Sequence, residues 1–370
     1  MRTCFIIGTA AELIKIYPLI VEADERNYPW TVLSTGQSPI SLKRQYDNFQ
    51  LPEDRYLKSL NTKADLSTSW QAMKWFVRAW IKRPRSFVPK DTNVVIVHGD
   101  TFSTIIGAKW GRRLSLPVVH IEAGLRSGFL FSPFPEEINR RIVSRYASVH
   151  MAPDDLAAEN LKKMGYDHGV FSTGGNTLSD TVRIILQRNP LSGVEQSYVV
   201  ANIHRYENLT NHSRWKLILE TLVRVGKKRK VLFVMHPQTK HKIEKDPVLK
   251  FKLEKAGIQL VPRLPFTEFI NLLAQADFVV SDGGSNQEEC HYLGVPCLIL
   301  RDTTERAEGL HSNCLLSKFQ PDLIDEFLEH SERWKRPAST PPWSPSSLII
   351  DTIERTLFES SSAHQATQTP

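Results

Sequence analysis

Three carboxylates stand out within residues 94–141: Asp100 in VVIVHGDTFS (94–103), Glu122 in LPVVHIEAGLRSG (116–128) and Glu136 in SPFPEEINRR (132–141). The first two follow strand-like apolar runs, where a carboxylate is costly unless it does acid–base work or gains partners. If those runs are neighbours in a parallel sheet, Asp100 and Glu122 share one sheet edge. Glu136 opens a helix, where it either favours the helix dipole and nothing more or joins the other two. Three converging acids would repel one another and raise at least one pKa, making a group able to take and return a carbon-bound proton.

Other residues suit an anion. DGGSNQEE (282–289) follows an apolar run and opens a helix, so the backbone at Gly284 and Ser285 either cradles a phosphate or is a plain structural turn. Glu289, further into that helix, could accept both hydroxyls of a ribose. His204, in IHRYEN (203–208), ends a strand, where it donates to phosphate, serves as an acid or is structural; His98, His120 and His236 hold comparable places. RDTTER (301–306) brings Arg301 and Arg306 to a strand end, to clamp a diphosphate or to pair with Glu305 or Asp302. Lys15 is about two turns into the first helix, with a stem long enough to reach back. No HxxxH, HExxH or CxxC spacing occurs, so no metal site is expected.

The elements that must position these residues alternate. Strands are predicted at 3–9, 30–35, 93–100, 117–124 and 147–153, with helices between, including TFSTIIGAKWGRRL and EEINRRIVSRY. The turn-rich FSTGGNTLSD (171–180) breaks the pattern, which restarts at 197–204, 230–237, 257–262, 277–284 and 295–302. Continuous β-branched runs separated by helices predict parallel sheets covered on both faces. The expected fold class is α/β, with two doubly wound Rossmann-like domains facing a cleft at the carboxyl ends of their strands. The expected boundaries are 1–173, 174–345, a final helix over 346–358 and a disordered tail over 359–370. The Pro/Ser-rich 334–347 reads as a surface linker.

The stretch TSWQAMKWFVRAWIKRPRSFVPK (68–90) holds Trp70, Trp75, Phe76 and Trp80 with six basic residues after position 73. It either lies on a membrane surface or a partner, or buries its aromatics in the core with its cations solvated. No run of about 18 apolar residues exists, so stable membrane insertion is not expected, and the N-terminus reads as a strand and helix rather than a signal peptide. Cys4, Cys290, Cys297 and Cys314 show no disulfide or thiolate-metal pattern, which points to a reduced, cytoplasmic protein. The net charge of +7 fits an anionic ligand; without a zinc-finger or RNA-binding signature, nucleic acid is not the expected partner.

With HGDT (98–101), HIEAGLRSG (120–128), SPFPEEINR (132–140), the HRxEN-like element at 204–208, QEE (287–289) and RDTTER (301–306) in this order, the chain resembles the UDP-N-acetylglucosamine 2-epimerases. The resemblance covers about residues 3–315 and implies the two-domain fold of B-type glycosyltransferases, with the final helix crossing back to the first domain. It implies elimination of UDP to a 2-acetamidoglucal and its re-addition with C2 inverted, a cofactor-free reaction in surface polysaccharide precursor synthesis, carried out by a homodimer. By motif, Asp100, Glu122 and Glu136 correspond to the acid–base set, and His204 and Arg306 to the diphosphate grip. Lys15 corresponds to the family's N-terminal lysine, Glu289 to the ribose carboxylate and Phe269 to the aromatic against uracil.

The chain departs from the family's Gly-Thr-Arg-Pro-Glu at Gly8-Thr9-Ala10-Ala11-Glu12, losing a cation whose phosphate contact is worth about 1.5–3 kcal/mol, roughly 10- to 150-fold. Ser-Gly-Gly becomes Gly283-Gly284-Ser285. Ser38-Pro39-Ile40 and Lys63-Ala64 replace residues of the family's second, activating substrate site. The competing readings are a hydrolysing 2-epimerase releasing UDP and ManNAc, a glycosyltransferase, and a non-catalytic nucleotide-sugar binder.

Overall fold

A computed structural model describes residues 1–60, 63–66, 68–126, 135–188, 197–304, 306–338 and 340–359. Its strands are β1 (Thr3–Ile7), β2 (Trp30–Ser34), β3 (Tyr56–Lys58), β4 (Val94–His98), β5 (Val118–Ile121), β6 (Val149–Ala152) and β7 (Val170–Ser172), then β8 (Tyr198–Asn202), β9 (Lys230–Val234), β10 (Ile258–Val261), β11 (Val279–Ser281), β12 (Cys297–Ile299) and β13 (Cys314–Leu316). They form two sheets, ordered β3-β2-β1-β4-β5-β6-β7 and β10-β9-β8-β11-β12-β13, and every pairing is parallel. In each sheet the order reverses beside a central strand, between β1 and β4 and between β8 and β11, the usual ligand position in open α/β sheets.

In the first unit, β1, β2, β4, β5 and β6 are buried along their whole length, as strands covered by helices on both faces must be. Ile6, Val95, Val97, Ile105, Ile106, Trp110 and Val118 form its core, each aliphatic side chain contributing about 1.5–3 kcal/mol. Helix Phe102–Arg113 lies close against this sheet because Gly107 and Gly111 face it. A Cβ at Gly107 would meet Ile6 and Val97 within 2.9 Å, and one at Gly111 would lie 2.5 Å from Val118. In the second unit Val199, Ala201, Ile218, Leu222, Phe233, Phe278 and Phe327 play the corresponding part.

Contacts divide the chain between Thr181 and Val182 and between Thr340 and Pro341, so the first unit comprises the chain to Thr181 and again from Pro341. The expected boundaries at 173/174 and 345/346 lie nearby, but side chains displace the division. Asp180 Oδ2 accepts from Ser344 Oγ (3.0 Å), Ser346 N (2.8 Å) and Ser346 Oγ (2.6 Å), and Thr181 Oγ1 donates to Ile14 O at 2.7 Å. Helix Pro345–Glu354 packs on helix Ala10–Glu25. Arg26 joins them, with Nη1 at 2.6 Å from Asp351 Oδ1, and Nη2 at 2.5 Å from Glu22 Oε1 and 2.9 Å from Ser347 Oγ. The expected tail lies, from residue 360, outside the described residues.

Candidate active site

In the first unit β4 and β5 are neighbours with His98 opposite Ile121, so Asp100 and Glu122 leave the same edge of the sheet. Glu122 has φ +61°, a left-handed conformation unusual for a glutamate, and the following Gly124 has φ +84°. Its Oε2 lies 2.5 Å from Lys15 Nζ. His98 Nε2 is 3.1 Å from the same oxygen but outside hydrogen-bonding geometry, and the nitrogen is otherwise buried without a partner. Lys15 thus reaches back from helix Ala10–Glu25 to the sheet edge, as its length allows.

Asp100 has its own cation. Arg140 approaches its Oδ2 through Nε (2.8 Å) and Nη2 (2.6 Å), while Asn139 Nδ2 donates to the Asp100 carbonyl at 2.8 Å. Both partners lie on helix Glu136–Tyr146, so the PEEINR segment supplies Glu136 and the group that orients Asp100. Among the described residues Glu136 Oε2 is buried and has no hydrogen-bond donor. Glu137, only 1% exposed, lies among Arg141 (3.1 Å), Arg140 (3.6 Å) and Arg126 (3.7 Å). The expectation of mutually repelling acids therefore needs correction: Asp100 and Glu122 are each compensated by a separate cation.

Glu12 organises this edge and bears no substrate role in the sequence reading. It is 2% exposed; its Oε2 accepts from Gly8 N (3.0 Å), Thr9 N (2.9 Å) and Thr9 Oγ1 (2.9 Å), and its Oε1 from Thr101 Oγ1 (3.0 Å). One side chain closes a capping box at the β1 turn and ties it to the Asp100 turn. Burial pushes Glu12 above its ordinary carboxylate range, with the Gly8 and Thr9 hydrogen bonds pulling it back. His120 is structural: its Nε2 is 2.8 Å from Gly99 O, and burial pushes it down to about 3.

In the second unit the hub is Asp282, fully buried after β11. It accepts from His204 N (2.9 Å), Arg205 N (3.0 Å) and Asn208 Nδ2 (2.9 Å), locking the HRYEN turn to the Gly-Gly turn. His204 Nδ1 lies 3.1 Å from Asn202 Oδ1. Asn202 Nδ2 donates to Val234 O at 2.9 Å, which assigns the amide orientation. Nδ1 must then carry the proton, leaving Nε2 as the working atom of His204. Burial holds His204 below the ordinary histidine range, opposed by Asp282, and burial pushes neighbouring His236 down to about 4.

Gly283 permits this approach, since a Cβ there would stand 2.8 Å from His204 Cε1 and 2.7 Å from Asn286 Oδ1. It precedes helix Gly284–Leu293, whose N-terminus has no side-chain cap, leaving the first-turn N–H groups of Gly284 and Ser285 for an anion. Glu289, 4% exposed, accepts from Asn286 Nδ2 at 2.8 Å. Phe269 lies half-buried on helix Phe266–Ala274, which packs against that helix. Gln287 Nε2 donates to Arg306 O (3.0 Å) and Glu308 O (2.8 Å), holding the Arg306 segment. Arg306 Nη1 lies 3.4 Å from the buried Glu288 Oε2. Asp302 pairs with Arg214 instead of an RDTTER arginine, and the alternative partner Glu305 lies outside the described residues.

Arg140, Glu12, Asn202 and Asp282 are the contributors that sequence reasoning missed. All four lie in or beside motifs it singled out; Arg140 and Asp282 meet partners distant in the chain, whereas Glu12 and Asn202 combine near partners (Gly8 and Thr9; His204) with distant ones (Thr101; Val234). Among the described residues no group of three or more His, Cys, Asp and Glu is placed to hold a metal ion. A cavity of about 540 Å³ lined by Ser34, Pro39, Ile40, Lys43, Arg44 and Lys58, among others, shares no residue with either set.

A sequence model of the UDP-N-acetylglucosamine 2-epimerase family matches residues 22–336. The chain is 28% identical over 356 residues to the UDP-N-acetylglucosamine 2-epimerase of Methanocaldococcus jannaschii, covering 91% of this chain and 95% of the relative. It is 30% identical over 326 residues to that of Bacillus subtilis, covering 85% and 82%. The crystal structure of the Methanocaldococcus jannaschii UDP-GlcNAc 2-epimerase in complex with UDP-GlcNAc and UDP is similar, with a TM-score of 0.75 at 27% identity over 96% of this chain and all of that one (100%).

Proposed function

The chain belongs to the UDP-N-acetylglucosamine 2-epimerase family, and on that premise we propose that it interconverts UDP-GlcNAc and UDP-ManNAc without hydrolysis. The observation that carries this reading is the first unit's sheet edge, where Asp100 and Glu122 are each held by a dedicated cation. Arg140 engages one oxygen of Asp100 and leaves the other open to a substrate proton.

One carboxylate of the Asp100, Glu122 and Glu136 set removes the C2 proton. The C2–H electrons form the C1–C2 double bond as the C1–O bond to UDP breaks, giving the 2-acetamidoglucal. Another carboxylate protonates C2 on the opposite face while a UDP oxygen rejoins C1. Lys15 steadies Glu122. The departing diphosphate is held by His204 Nε2, Arg306 and the first-turn N–H groups at Gly284 and Ser285, with Glu289 on the ribose and Phe269 against uracil. The reaction needs no cofactor.

Two further parts of the proposal rest on other support. The family resemblance supports a homodimer. The four free, buried cysteines support a reducing, cytoplasmic setting, and the family resemblance supports a surface polysaccharide precursor as product.

The test is turnover of UDP-GlcNAc in deuterated water, followed by NMR. Deuterium at C2 of both sugars, with little free UDP, is the expected result. No exchange and no second sugar would overturn the proposal; stoichiometric free UDP would make the protein a hydrolase.

A further inference from the structure

Glu137 has no part in the chemistry proposed above, yet it is buried among three arginines. A carboxylate is costly to bury unless cations and hydrogen bonds compensate it. Its two oxygens face different cations. Oε1 lies 3.1 Å from Arg141 Nε and 3.7 Å from Arg126 Nε, and Oε2 lies 3.6 Å from Arg140 Nη1. Arg140 and Arg141 stand one turn along the same helix, Glu136–Tyr146, where helical spacing alone brings them near. Arg126 comes from elsewhere: it lies four residues past Glu122, beyond the end of β5. Burial presses Arg126 below the ordinary arginine range, and Glu137 opposes this. The Arg141 side chain is 45% exposed, so water screens its pairing; those of Arg126 and Arg140 are 10% and 16% exposed.

The Arg140 guanidinium is held at both ends. Its Nε and Nη2 meet Asp100 Oδ2 at 2.8 and 2.6 Å, and Nη1, at the opposite end of the plane, faces Glu137. The two short contacts converge on one oxygen, about which the plane could pivot. A second charge at Nη1 removes that freedom. Asn139 holds the Asp100 carbonyl, not its carboxylate, so the carboxylate takes its direction from Arg140. A buried ion cluster is weak evidence for stability. This one leads, through a single side chain, to a candidate acid–base group.

We propose that Glu137 is a positioning residue of the acid–base edge: anchored by Arg126, it fixes the plane of Arg140 and thereby aims the open oxygen of Asp100. Its effect on turnover rests on the epimerase reading; its hold on Arg140 does not. The two are therefore tested by separate measurements.

E137Q keeps the shape and removes the charge. Its kcat for C2 exchange from UDP-GlcNAc in deuterated water should fall about 10- to 100-fold with KM little changed, because a misaimed carboxylate is felt in the reaction step. E137D keeps the charge but retracts it by one methylene and should fall between. In an R140M background E137Q should cost nothing further, since Arg140 is the link. The second measurement is NMR of protein carrying isotope-labelled arginine. The Arg140 Nε–H signal, assigned by its loss in R140M, should shift in E137Q and shift less in E137D. Should E137Q not fold, E137D takes its place in every arm. An unmoved Arg140 signal in the folded variant would overturn the proposal whatever the turnover. So would losses that multiply in E137Q/R140M, which would make Glu137 a structural anchor independent of Arg140. A wild type without C2 exchange would overturn the epimerase reading alone, and the Arg140 signal would still decide the role of Glu137.

Discussion

Replacing Glu12 tests whether one buried side chain positions the candidate acid–base edge. In Glu12→Ala, Gly8 N–H and Thr9 N–H lose their acceptor, and the hydroxyls of Thr9 and Thr101 must turn elsewhere. With unmet buried donors costing about 1–3 kcal/mol each and hydroxyls free to reorient, the loss should be about 3–5 kcal/mol. Glu12→Gln should cost only about 1 kcal/mol, because an amide oxygen can take the backbone donors while its N–H₂ faces the Thr101 and Thr104 hydroxyls, which also accept. Urea unfolding followed by tryptophan fluorescence is the assay. It reports mainly on the first unit, which holds Trp30, Trp70, Trp75, Trp80, Trp110 and Trp343.

pH supplies a second axis for the same pair. Burial raises Glu12 above its ordinary 4.5, so its stabilising contribution is present below that value and lost as pH rises through the raised one. The stability gap between wild type and Glu12→Gln should therefore narrow upward from about pH 4.5. Activity should follow structure, with the alanine variant losing C2 exchange and the glutamine variant keeping most of it. An alanine variant within about 1 kcal/mol of wild type, or a glutamine variant equally damaged, would refute the reasoning.

Two other outcomes follow from the site. Arg140→Met should lower kcat about 10- to 100-fold with KM little changed, and Arg140→Lys should fall between, because Lys keeps the charge and loses the fork; unchanged C2 exchange in a folded Met variant would remove Arg140 from its positioning role. Because burial lowers His204, its ring is neutral at pH 7 before ligand arrives, and a bound diphosphate should raise it again. Calorimetry of UDP binding in buffers of different ionisation enthalpy should thus show proton uptake that Asn at position 204 abolishes, whereas buffer-independent heats would exclude the linkage.

The sheets were legible because their central strands are continuous apolar runs, and the runs ending at Asp100, Glu122 and His204 appear where the pattern places them. β3, β7 and β13 were not read. Each is three residues long, and none is buried throughout, so none produces a run that stands out from loop. The acids themselves were readable from type and position. What holds them was not, since Lys15 meets Glu122 across 107 residues and Arg140 meets Asp100 across 40. Local spacing cannot rank such pairs; they exist only once β1, β4 and β5 lie side by side. The choice for residues 68–90 between a membrane or partner surface and the core stayed open for a related reason. The sequence shows many aromatics, and only the fold tells Trp75, which is buried, from Trp70, which is not.

The return of the chain to its first unit has a consequence for biosynthesis. Ile349, Ile350 and Ile353, wholly buried with helix Ala10–Glu25 as their helix's neighbour, are among the last described residues to leave the ribosome. Residues 182–340 form a contiguous unit and are complete before them. Domains usually mature in order of synthesis; here the unit that begins the chain must wait for its end, and the inserted one can finish first. A nascent chain stopped at Thr340 would carry a finished second unit and a first unit with an open apolar flank, the state that chaperones and proteases recognise.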